Sequence, residues 1–211
     1  MNGTTAGLRC RRQTVTVLFV DIVGFTSLVD ELDCSDVRDL QVDYFSVVSD
    51  RVRAAGGIVE KFIGDAVMAV FGTTGPAAGS AEEIGCAAAS AVEAGLRVQE
   101  ALRGRLLAGR YPVLTRVGLA TGDAIVDLEE TRDGGYGMVS GSVVSTASRL
   151  QAYAPHDTVV VCAATREVTD TAVAYQEMPP VSVAGKAAPV EIWRALHPQV
   201  VPAGRSLQAC G

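Results

Sequence analysis

The chain has 211 residues, 48% of them hydrophobic and 20% charged, with a formal net charge of −6. That length and apolar content suffice for one buried core in a single soluble domain. The acidic balance excludes broad electrostatic binding to nucleic acid or anionic lipid, so an anionic substrate must be held by a few placed cations, metals or helix N-termini.

Residues 1–12 are polar and basic and read as a disordered lead. Residues 13–20 turn apolar and β-branched, which predicts a buried strand ending at Asp21. Gly24 makes a turn into a short helix from about Thr26. Ser35–Arg53 repeats apolar residues at Val37, Leu40, Tyr44, Val48 and Val52, the period of an amphipathic helix, with Ser35 or Asp36 as cap and Gly56-Gly57 as stop.

Ile58–Phe62 and Ala66–Phe71 read as a hairpin whose turn carries Gly64-Asp65. After a glycine- and proline-containing loop, Ser80 and Glu83 form a capping-box pattern for a helix over Ala81–Leu107. Val113–Ala120 and Ala124–Leu128 read as a second hairpin about Gly122, and Glu129–Gly137 as a loop. Then come a helix over Val139–Leu150, a strand over Thr158–Cys162, a short helix over Ala163–Val168 and a closing strand over Val190–Ala195. Residues 198–211 form a tail without periodicity. Helices set between hairpins predict an α+β sandwich with a largely antiparallel sheet.

Five cysteines, at 10, 34, 86, 162 and 210, form no CxxC pair and no metal-ligand spacing. Reduced thiols and a cytoplasmic setting are expected rather than a disulfide framework. No signal-peptide core and no run of about 18 apolar residues occurs, so membrane insertion by this chain is not expected. Only two lysines, Lys61 and Lys186, stand beside sixteen arginines.

The chemistry concentrates at two strand ends. Asp21 closes the first strand, and Asp65 follows 44 positions later in the turn of the first hairpin. Two carboxylates from neighbouring strands suit a hard divalent cation, which takes anionic oxygens and keeps positions open for substrate phosphates. His156 and His197 are not spaced to join that pair, and two isolated histidines support no Ser-His-Asp arrangement.

The segments FVDIVGFTSL, EKFIGDAVMAVFG, VGLATGDAIV and SGSVVSTASRLQ, in this order and spacing, resemble the catalytic domain of class III adenylyl and guanylyl cyclases over about Thr14–Leu196. The resemblance implies an elaborated ferredoxin-like fold over residues 13–197. It also implies a head-to-tail homodimer with active sites at the interface, and conversion of a nucleoside triphosphate to a 3′,5′-cyclic monophosphate and pyrophosphate. Two Mg²⁺ or Mn²⁺ ions per site would be held at Asp21, Ile22 and Asp65. Gly24, Phe25 and Thr26 would turn backbone N–H groups toward the phosphates, although taken alone Gly24 is better explained as the glycine of an ordinary tight turn. Arg149 would steady the transition state in the partner's site. Lys61 stands where adenylyl cyclases carry a base-reading lysine, which favours ATP.

Three positions depart from the family pattern. Met138 stands where an acceptor for the adenine amino group is usual, Ser145 replaces an asparagine, and Ala184 replaces a phosphate-binding lysine, with Lys186 two residues on. In a strand that offset is about 6 to 7 Å along the same face. An adenylate cyclase is therefore the leading expectation, and a catalytically weak or inactive nucleotide-binding and dimerisation domain the alternative. A guanylyl cyclase ranks third, because of Lys61.

Overall fold

The computed structural model describes residues 10–73, 79–127, 139–181 and 189–197. In chain order the elements are β1 (Cys10–Ile22), α1 (Phe25–Glu31), α2 (Cys34–Ala54), β2 (Ile58–Ile63), β3 (Ala66–Phe71), α3 (Ala81–Leu102), β4 (Leu106–Leu107), β5 (Tyr111–Pro112), β6 (Thr115–Asp127), β7 (Val139–Ser140), α4 (Ser142–Tyr153), β8 (Thr158–Cys162), α5 (Ala163–Thr169), β9 (Tyr175–Val181) and β10 (Val190–Ala195). The main sheet runs β2-β3-β1-β6-β8-β10-β9, with β7 on β6. Every described pair is antiparallel except β6 with β8. The β2-β3-β1-β6 segment, with α2 and α3, is a ferredoxin-like βαββαβ unit; the remaining strands extend it on the β6 side.

β1 is apolar on both faces because both faces are covered. Leu18, Val20 and Ile22 pack in one core with Leu40, Tyr44 and Val48 of α2 and Val92 and Leu102 of α3. Val15, Val17 and Phe19 pack in another with Val143, Ala147 and Leu150 of α4. The helices thus lie on opposite faces, α2 and α3 against α4. α4 comes unusually close to β6. A Cβ built on Gly118 would strike the backbone nitrogen of Gln151 and lie 2.7 Å from both the Ala147 carbonyl oxygen and the Gln151 Cα.

The expected α+β sandwich is present, and several boundaries differ. β1 begins at Cys10, inside the segment expected to be a disordered lead, because β6 pairs with it residue by residue from Cys10↔Asp127 to Ile22↔Thr115. That continuous pairing also makes β6 one strand, not a hairpin about Gly122. α3 stops at Leu102, not Leu107: Gly104 takes φ +70° and Leu106–Leu107 pairs with Tyr111–Pro112. Neither Ser35 nor Asp36 caps α2, whose N-cap is Asp33. Asp36 accepts instead from Arg110 (2.6 Å) and from the Tyr111 hydroxyl (3.0 Å), fastening the β4–β5 hairpin to α2. The Ser80–Glu83 capping box forms as expected. The helix expected from Val139 starts at Ser142, after β7. β9 is a strand beyond those expected; it contains Pro179-Pro180, which its place as the terminal strand of the sheet order tolerates. The loop expected at Glu129–Gly137 lies outside the described residues.

Candidate active site

The alternation that sends Val15, Val17 and Phe19 toward α4 carries Asp21 to the same face at the end of β1, where it is half-buried. Asp65 comes from the β2–β3 turn, in which Gly64 holds φ +65°, a left-handed conformation that glycine adopts without steric cost. The turn is tied to the strand end: the Ile22 N–H donates to Asp65 Oδ2 at 3.1 Å. The structure therefore brings together the three residues expected to hold metal. Ile22 has an apolar, buried side chain and its N–H is engaged, so it can contribute only its carbonyl oxygen.

Burial pushes the Asp21 carboxyl up to about 7, and hydrogen bonding and charge from Asp65 push the same way. Gln151 and the positive charge of Arg116 oppose the shift. Two carboxylates so placed resist simultaneous ionisation, and a divalent cation relieves that repulsion where a proton otherwise must. The donor set fits Mg²⁺ or Mn²⁺. Among the described residues no cluster of three or more His, Cys, Asp or Glu side chains could hold a metal, so water and substrate phosphate would complete the coordination.

Four further residues belong to this place and were not legible as such in the sequence. Arg116 of β6 is the cross-strand partner of Asp21. Its Nη1 donates to the Ala152 carbonyl at 3.3 Å, while its buried Nε has no hydrogen-bond partner among the described residues. Gln151, 7% exposed, donates Nε2 to Asp21 Oδ2 at 2.9 Å. Tyr44, expected only as part of an apolar helix face, is fully buried, and its hydroxyl has no hydrogen-bond partner among the described residues. Burial raises its pKa, and the charges of Asp21 and Asp65 add to the rise. Glu60 lies beside Lys61, discussed next. The signal for Arg116 was strand register, which reading β6 as a hairpin concealed.

Lys61 follows a β-bulge. The β2–β3 register shifts between Val59 and Lys61, placing Glu60 and Lys61 opposite a single step of β3. The Lys61 ammonium stands 3.2 Å from Glu60 Oε2, and the Glu60 side chain is fully buried. Beyond it Phe62 and Ile63 are exposed.

Arg149 and Ser145 occupy the outward side of α4, four residues apart and so on one face. Ser145 is exposed, Arg149 half-buried, and Ser145 Oγ donates to the Ser142 carbonyl at 3.0 Å. Gln151 is two residues from Arg149, roughly 200° around the helix, on the inward side. The structure thus does not gather Arg149 or Ser145 into their own chain's carboxylate site. Gly24 precedes α1 with φ +73°, and no side chain caps the helix start at Phe25 and Thr26. Met138 and Lys186, with Ala184, lie outside the described residues.

No helix among the described residues is long and apolar enough to cross a membrane. The chain matches the adenylate and guanylate cyclase catalytic domain family over residues 9–194. It is 32% identical over 152 residues to Adenylate cyclase 1 of Rhizobium meliloti, covering 71% of this chain and 22% of that protein. The curated relatives it matches are much longer, and the chain spans 6% to 23% of their length. Among solved structures, the adenylyl cyclase CyaB from P. aeruginosa superposes with a TM-score of 0.76 at 26% identity, over 92% of this chain and 98% of that one. The guanylyl cyclase Cya2 gives 0.74 at 26% identity, over 87% and 92%. By motifs, sheet order and the extent of these matches, the chain belongs to the adenylate and guanylate cyclase catalytic domain family.

Proposed function

We propose that this domain is an adenylate cyclase that converts ATP to 3′,5′-cyclic AMP and pyrophosphate at the interface of a head-to-tail homodimer. The observation that carries the reading is the convergence of Asp21 and Asp65 at the end of β1, with the turn of Asp65 fastened to Ile22. Mg²⁺ or Mn²⁺ bound there would acidify the ribose 3′-hydroxyl and neutralise charge on the departing pyrophosphate.

The chain's own residues set up the rest. Asp21 and Asp65, with the Ile22 carbonyl, would hold the cations at the end of β1 and the β2–β3 turn. Arg116 presents a guanidinium beside Asp21, and the uncapped start of α1 at Gly24, Phe25 and Thr26 offers N–H groups; both favour a polyphosphate there. Lys61, held by Glu60, would donate to adenine N1, where guanine presents a donor. Met138 and Lys186 are further candidates for substrate contact.

Ser145 and Arg149 face away from their own chain's carboxylates, which favours their service in a second subunit's site. There Arg149 would meet negative charge developing on the transferring phosphoryl group. One observation favours the alternative of a weak or inactive domain: the Ser145 hydroxyl is spent on the Ser142 carbonyl. Losing two or three substrate hydrogen bonds at about 1 kcal/mol each slows a reaction roughly tens- to hundreds-fold without abolishing it.

Purified protein with ATP and Mn²⁺ is expected to form cyclic AMP, and GTP to react more slowly. No product above an Asp21→Ala control would refute the cyclase reading.

A further inference from the structure

Gln151 is assigned no role by the reaction as set out above, yet it is the side chain that reaches Asp21 from the opposite layer of the fold. Three observations bear on it. Its amide donates to Asp21 Oδ2 at 2.9 Å from a position only 7% exposed. Its backbone is pressed onto Gly118, where even one added carbon would strike Gln151 and Ala147, so α4 has no slack at this point. An amide nitrogen can only donate, so it engages Oδ2 and leaves Oδ1 outside its reach.

A carboxylate at a strand end has two side-chain torsions to fix before it can serve as a ligand. The amide fixes them, because the donor is immobile. A donor in place of a second carboxylate also stabilises the charged form that a cation needs.

We propose that Gln151 is a positioning residue that locks the rotamer of Asp21 from α4, presenting one carboxylate oxygen to a divalent cation. The inference rests on the reading of Asp21 as a metal ligand. It also gives Gly118 a purpose, since only a residue without Cβ lets α4 approach closely enough for the Gln151 amide to reach. Arg149 lies on the far side of the same helical turn, so the element that sets one chain's carboxylate also bears the arginine offered outward.

The test measures Mn²⁺ affinity in the metal-free protein by electron paramagnetic resonance of the free ion, with no nucleotide present. Four proteins are compared: wild type, Asp21→Ala, Gln151→Met and Gln151→Asn. Methionine keeps the volume and loses the donor; asparagine keeps the amide but withdraws it by one methylene. Both Gln151 variants are expected to bind Mn²⁺ about tenfold or more weakly, with a melting temperature within a few degrees of wild type, and saturating Mn²⁺ is expected to restore most of kcat. Wild-type Mn²⁺ affinity in either folded variant would overturn the proposal while leaving the metal reading intact. Equal affinity in wild type and Asp21→Ala would overturn both.

Discussion

The main-chain N–H of Ile22 donates to Oδ2 of Asp65 over 3.1 Å, so the turn of the β2–β3 hairpin is fastened to the last residue of β1. The bond fixes the separation of two carboxylates that belong to different elements, and it spends a main-chain donor rather than a side chain. Asp65 therefore has two separable roles, as an acceptor for Ile22 and as a negative charge. Asp65→Asn keeps the first and removes the second. It is expected to melt no lower than the wild type without metal, because one of two like charges is gone, while cyclic AMP formation falls at least about 100-fold. Asp65→Ala removes both roles and leaves the Ile22 N–H without its acceptor at a cost of about 1–3 kcal/mol. Thermal melts beside product assays separate the two variants; equal melting temperatures for them would count against the Ile22 bond.

Proton linkage at Asp21 predicts an unusual pH dependence. Burial and the neighbouring Asp65 push its carboxyl up to about 7 in the fold from an ordinary 3.8, so between those values the folded state binds the extra proton. Stability supplied by that proton is complete below about 3.8 and is lost as pH rises toward 7. Metal-free protein is thus expected to lose melting temperature between about pH 4 and 7 through this group. A divalent cation displaces the proton, so Mn²⁺ should flatten the loss, bind more tightly at pH 8 than at pH 6, and release a proton on binding at pH 6. Calorimetry in two buffers of different ionisation enthalpy measures that proton, and none released at pH 6 would contradict the assignment.

The fold was legible where periodicity and punctuation agree. The apolar run of β1 required burial on both faces, and Ser80 with Glu83 marked the start of α3 correctly. Where an element's state depends on a distant partner, local reading failed. Gly122 looked like a turn, yet thirteen residues of β1 hold β6 straight past it. β9 carries Pro179-Pro180, which no local strand signal announces and which its place at the end of the sheet permits. Motif spacing singled out Asp21 and Asp65, which the structure brings together, and also Lys61 and Arg149, of which Arg149 lies on the outward side of α4. Arg116 and Gln151 were not singled out, because their relation to Asp21 is made by register across β1–β6 and by the closeness of α4 to Gly118. Glu60 was missed for a third reason: strict alternation would put it on the face opposite Lys61, and a bulge brings the two charges together.

If Lys61 reads the base, that bulge makes base selection a property of two residues. A fully buried Glu60 carboxylate holds the Lys61 ammonium at 3.2 Å, so the lysine is oriented before nucleotide arrives. Lys61→Ala is expected to raise KM for ATP by roughly tenfold, the scale of one charge-assisted hydrogen bond, and to narrow the preference for ATP over GTP. Glu60→Gln leaves Lys61 present without its counter-charge and should reproduce part of that loss. Side-by-side ATP and GTP rates decide the matter: unchanged selectivity in Lys61→Ala would remove Lys61 from base recognition.

The outward placement of Arg149 makes a prediction that a single-chain active site cannot. If Arg149 completes the site of a second subunit, then Asp21→Ala and Arg149→Ala each inactivate a homodimer, while a mixed dimer contains one site with both residues intact and one with neither. Random mixing in equal amounts makes half the dimers mixed, each with half its sites competent, so about a quarter of wild-type activity should return. The mixture is prepared by co-expression with two different tags, so that the mixed dimer can be isolated and its assembly checked before assay. Recovery in the isolated mixed dimer, with neither parent active, places Arg149 across the interface. An inactive mixed dimer would place Arg149 and Asp21 in the same chain's site, against the outward face that α4 gives Arg149.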